Sequence, residues 1–67
     1  MYRIKATKIV DSVTVTKWIH PLFELTDLEV LAKPYPNKLV AEIGIKHVNK
    51  RYPELVKGYT LEASEWP

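Results

Sequence analysis

Two alternating runs, YRIKATKIV and VTVTKWIH, stand back to back around Asp11-Ser12, and they constrain this chain more than anything after them. In the first, Tyr2, Ile4, Ala6 and Val10 share one face, opposed to Arg3, Lys5, Thr7 and Ile9. In the second, Val13, Val15 and Ile19 oppose Thr14, Thr16, Trp18 and His20. A period of two with many β-branched residues is the pattern of strands. A two-residue turn at Asp11-Ser12 then pairs Val10 with Val13, Lys8 with Val15, Ala6 with Lys17 and Ile4 with Ile19. That register gathers every apolar residue except Ile9 and Trp18 on one face. A slip of one residue would scatter them. It also sets Lys5 across from Trp18 and Arg3 across from His20. Asp-Ser is not a favoured pair for such a tight turn, so the exact loop length is the weak point of the scheme.

Residues 22–37 are the least regular. Thr26-Asp27-Leu28-Glu29 has the spacing of a capping box, with Leu25 and Val30 placed as the accompanying apolar staple. A short helix from Asp27 to about Ala32 is expected, ended by Pro34, because the residue before a proline avoids the helical region. Lys33-Pro34-Tyr35-Pro36 reads as a stiff connector, or as a short polyproline-like ligand. Asn37 is a good N-cap for a helix over 38–52. Ala41, Ile45, Val48 and Tyr52 form its apolar stripe, Glu42 and Lys46 form a favourable i, i+4 pair, and Pro53 stops it. A strand competes over 38–45, since Leu39, Ala41, Ile43 and Ile45 also alternate and Gly44 disfavours a helix interior. The helix is the favoured reading. After Gly58 the alternation returns, with Tyr59, Leu61 and Ala63 opposed to Thr60, Glu62, Ser64 and Trp66. The expectation is therefore one α+β domain over residues 1–67. It has a three-stranded antiparallel sheet in order 2-1-3, one main helix on one face, and a short extra helix.

Size narrows the options. A chain of 67 residues is marginal alone, because about 60% of its unfolded surface is buried on folding. There is no cysteine, hence no disulfide and no thiol chemistry, which fits a reducing compartment. The apolar runs are too short to span a membrane, and the N-terminus lacks the continuous apolar stretch of a signal peptide. A cytoplasmic location is expected. The net charge of +2 is too small an excess to mark a dedicated polyanion binder by itself.

The residues offer little for catalysis. Neither His20 nor His47 sits in a nucleophile motif or at metal-ligand spacing from another histidine or carboxylate. Glu62 and Glu65 fall on opposite faces of the last strand, so they form no local catalytic pair. Gly44 and Gly58 are too far apart for a phosphate-cradling loop. No enzyme activity, metal, cofactor or small-molecule substrate is expected.

Three surfaces remain. Lys46, His47, Lys50 and Arg51 point away from the helix stripe, where they can neutralise phosphates or simply offset the negative end of the helix dipole. Leu39 and Ile43 make a small outward apolar strip, expected to meet the 26–32 segment rather than a partner chain. The outer sheet face carries Arg3, Lys5, Trp18 and His20, joined by Trp66 and Glu62. Tryptophans on a solvent face beside cations are typical of binding sites. The functional expectation is a non-catalytic accessory module that binds a protein partner or itself through Arg3, Lys5, Trp18, His20 and Trp66. The alternative is nucleic-acid binding through Lys46, His47, Lys50 and Arg51.

Overall fold

The computed structural model describes residues 1–66. The chain runs β1 (Tyr2–Val10), β2 (Val13–Ile19), β3 (Leu25–Thr26), a 3₁₀ turn (Glu29–Leu31), α1 (Lys38–Arg51) and β4 (Thr60–Glu65). It is an α+β fold, one helix layer on one antiparallel sheet. The sheet has four strands in order β3-β2-β1-β4, so the expected 2-1-3 core is present with a two-residue strand added at one edge. No helix among the described residues is long and apolar enough to cross a membrane.

The hairpin register is the expected one, with Val10 opposite Val13, Lys8 opposite Val15, Ala6 opposite Lys17 and Lys5 opposite Trp18. Asp11 and Ser12 both take positive φ, 49° and 66°, which makes the type I′ turn whose twist matches that of the strands. An unfavoured sequence therefore adopts the favoured turn, because the apolar pattern on both sides fixes where it must fall. β4 pairs with β1 on the far side, from Tyr2 opposite Glu65 to Thr7 opposite Thr60.

Two expectations fail at the top of the sheet. Arg3 does not face His20, because β2 ends at Ile19 and the chain turns away, with the His20 amide donating to the Glu24 carbonyl at 2.8 Å. Residues 33–35 fill the place it vacates. The Lys33 amide donates to the Ile19 carbonyl, and Tyr2 and Tyr35 exchange backbone hydrogen bonds at 2.8 and 2.7 Å. The expected helix over 27–32 is only the 3₁₀ turn. Thr26 Oγ1 accepts from the Leu28 amide, two residues on, so the capping box gives way to a local side-chain turn. Val30 is exposed and staples nothing.

Residues 38–45 are helical. Asn37 caps α1 as expected, its side-chain oxygen accepting from the Val40 amide at 3.0 Å. The helix lays Ala41 and Val48 on the sheet, and they form a core with Ile4, Ile19, Tyr35 and Val56. Tyr52, expected at the end of that stripe, is 37% exposed and stands at the C-cap instead. Gly44 is present because Tyr35 needs the room. A Cβ there would lie 2.7 Å from the Tyr35 hydroxyl and 2.8 Å from the ring carbon that carries it. The ring has nowhere to go, since Tyr35 is buried and its backbone is tied to Tyr2.

Two stability measurements follow from these backbone positions. Replacing Asp11-Ser12 with Asn-Gly relieves two left-handed residues and is expected to stabilise by about 0.5–1 kcal/mol, seen as a higher urea midpoint. An unchanged midpoint contradicts the turn assignment. Gly44→Ala improves helix propensity by about 1 kcal/mol, yet overpacking against Tyr35 is expected to win, for a net loss of about 1–2 kcal/mol. In a Tyr35→Leu background the same change should stabilise; destabilisation in both backgrounds would exclude the ring as the cause.

Candidate functional site

The outer sheet face is less open than its sequence suggests. Trp18 and Arg3 are each only 8% exposed. The cover is the segment from Leu28 to Ala32. It crosses this face, and the Glu29 carbonyl accepts from the Arg3 guanidinium. The same guanidinium lies over the Trp66 ring, 3.9 Å from its centroid. A planar, weakly hydrated cation suits such a place, packed flat on an indole with a carbonyl at its edge. Among the described residues its Nε has no hydrogen-bond partner. His20 is engaged in its own turn, with Nδ1 accepting from the Leu22 amide at 3.0 Å. Of the residues expected to form a binding face, Arg3 and Trp66 come together as packing, and Trp18 is buried on the same side of the sheet. Lys5 lies between Trp18 and Glu62 in the ladder, and His20 is elsewhere.

The basic residues of α1 are exposed, but they divide. Lys46 lies with Lys38 and Glu42 along the β4 side of the helix. His47 turns toward Phe23 and Tyr52, 5.4 and 6.0 Å between ring centroids, while Phe23 and Tyr52 stack at 5.0 Å. Phe23 holds a positive φ of 56° to reach this place. Lys50 and Arg51 occupy the last turn, where they face the negative end of the helix dipole. Lys46 and Lys50 stand one turn apart, as do His47 and Arg51, giving two short rows, and His47 of the second is packed with Phe23 and Tyr52.

Charge perturbations are local. The Tyr2 hydroxyl donates to Glu65 at 3.2 Å, and that bond raises its pKa. Lys17 is raised by its hydrogen bond to Asp27, against an opposing effect of burial. Burial alone raises Tyr35. Among the described residues no group of three or more His, Cys, Asp or Glu could hold a metal ion.

A different surface combines apolar side chains with unspent backbone. Leu39 and Ile43 do not meet the 26–32 segment, which lies across the opposite face. They are 67% and 57% exposed. Together with Ile45, Leu61 and Ala63 they line an open groove of about 650 Å³ between α1 and β4. Lys38, Glu42, Lys46 and Glu62 form its rim. β4 is also the outermost strand of the sheet on this side. The Trp66 amide donates to the Met1 carbonyl at 2.7 Å, so this pair bonds across the β1–β4 ladder. Antiparallel ladders alternate, so Ser64, Glu62 and Thr60 also turn their backbone groups toward β1. The N–H and C=O groups of Leu61, Ala63 and Glu65 point outward. Tyr2, opposite Glu65, confirms the phase by giving its own backbone groups to Tyr35.

The strip of Leu39 and Ile43 was legible in the sequence; its place beside a free strand edge was not, because that depends on β4 joining the sheet outermost. Comparison with family models, curated proteins and solved structures returned no match.

Trp18 is a packing residue, and its replacement has a defined outcome. Trp18→Ala is expected to cost about 3–5 kcal/mol, most of the total stability of a domain this small. The variant should be largely unfolded by circular dichroism at room temperature. A well-folded Trp18→Ala protein would show that the 28–32 segment is not a real cover.

Proposed function

We propose that this chain is a non-catalytic protein-binding module whose working surface is the groove between α1 and the free edge of β4. The observation that carries the reading is the coincidence there of exposed Leu39 and Ile43 with the outward backbone groups of Leu61, Ala63 and Glu65. A row of unpaired strand groups is a template for another extended segment. Main-chain hydrogen bonds supply affinity in such strand addition, and side-chain pockets supply selectivity. Val13 also borders an open edge, because β3 covers only Trp18 and Ile19 of β2, but the depression beside it is lined mainly by Thr7, Lys8, Thr14 and Thr60. Leu28, Val30 and Leu31 are exposed too, but the Leu31 and Ala32 amides of their segment are spent on Leu28 and Glu29 carbonyls.

Relative to the expectation from sequence, protein binding stays the first reading while its location moves from the Trp18 face to the groove. Nucleic-acid binding ranks lower, since Lys46 borders the groove and His47 is packed with aromatic rings.

Affinity capture with purified bait tests the assignment. Leu39→Glu and Ile43→Glu change exposed side chains and should leave the fold intact. Each is expected to lower retention of the partner at least tenfold relative to the unmodified chain. Equal retention by both variants would reject the groove. Salt-sensitive oligonucleotide binding, lost on replacing Lys50 and Arg51 by alanine, would move the function to the helix end.

A further inference from the structure

We infer that the occupant of the groove is a second copy of this chain, added antiparallel through β4 about a two-fold axis to give one continuous eight-stranded sheet. The inference rests on the protein-binding reading of the groove and names its partner.

The two edges of the sheet are built differently. β3 is two residues long and the chain immediately leaves it. β4 offers six residues, Thr60–Glu65, with no proline and no lysine among them. Proteins commonly blunt an exposed edge with charge, above all lysine, with proline, or by shortening it. β3 covers only Trp18 and Ile19, leaving the rest of β2 with Lys17 as edge, whereas β4 carries two glutamates but its full six-residue length.

Self-pairing of β4 has a register without like-charge conflict. A two-fold axis at Ala63 sets Ala63 against Ala63, Leu61 against Glu65 and Glu62 against Ser64 of the second copy. All the outward backbone groups then find partners. An axis at Glu62 would instead oppose two glutamates directly, which is destabilising. Ala63 at the centre is small, and it leaves space above the seam on the helix side.

The helices fit that space. α1 packs on β4 and β1. Strands lie about 4.8 Å apart, so a helix centred between β1 and β4 stands about 5 Å from an axis just outside β4. Two such helices would be about 10 Å apart, within the range of helix–helix contact. Lys38, Glu42 and Lys46 line the β4 side of α1. An antiparallel copy that sets Glu42 beside Lys38 of the second copy pairs opposite charges twice across the axis, with Leu39 and Ile43 above that seam. The contact is isologous, as a two-fold interface must be. A specific interface needs about 1,000 Å² in total, roughly a tenth of each copy's 4596 Å².

Sedimentation equilibrium from 5 μM to 1 mM tests this on the full chain, whose monomer mass is 7.8 kDa. The unmodified chain is expected to approach twice that mass, with a melting temperature that rises with concentration. Ala63→Pro removes the outward N–H at the centre of the seam without touching the bonds to β1. Ile43→Glu puts a charge into the groove that the second copy would cover. Both should return the mass to that of the monomer while circular dichroism stays native; should Ala63→Pro unfold, Ile43→Glu decides. A monomer at 1 mM overturns the inference, as does a dimer that survives Ile43→Glu. If the chain is monomeric and Ile43→Glu still loses a captured partner, self-pairing fails while the groove assignment stands.

Discussion

How close α1 comes to the sheet is decided where Tyr35 meets Gly44. Tyr35 is pinned by its backbone to Tyr2, at the end of the central strand, and its ring lies under the helix. Only a residue without a Cβ lets the helix settle onto that ring. Once it does, Ala41 and Val48 reach Ile4 and Ile19, and the remaining helix faces follow from the 100° step between residues. Leu39 and Ile43, two residues either side of Ala41, are turned outward by the same placement that buries Ala41, and the groove opens between them and β4. The groove is thus a by-product of how the core closes.

The two faces of the sheet are covered by different means. The helix face uses apolar burial over Ile4 and Ala6, both fully buried. The other face uses an irregular segment held by Arg3, whose guanidinium bonds to the Glu29 carbonyl and lies on Trp66. Burying a cation without a carboxylate is expensive, and the indole face and the carbonyl together offset part of that cost. The arrangement lets a small chain cover both sides of its central strand with a single helix.

What was legible in the sequence was what has a period. β1 and β2 alternate without interruption, so their register could be written down to the residue pair. Asn37 and the Ala41–Val48 stripe located α1, although Gly44 argued against it until Tyr35 accounted for it. The 27–32 segment misled because Thr26 and Glu29 have capping-box spacing, while Thr26 uses its hydroxyl on a nearer amide. No local pattern announces β3, whose two residues pair only because β2 is beside them. Trp18 looked exposed for the same reason: its cover comes from a stretch with no periodicity. The site was half legible. The Leu39 and Ile43 strip stands out on a helical wheel, but what lies next to it depends on strand order.

That strand order also sets a timetable for folding. β1 and β2 meet across a two-residue turn, a local event on the scale of microseconds. Pairing β1 with β4 joins Tyr2 to Glu65, nearly the whole length of the chain, and closing so long a loop costs entropy before any contact rewards it. Until it closes, Ile4 and Ala6 have a partner strand on one side only. The last strand to arrive is then the one that completes the core and exposes a new edge in the same step.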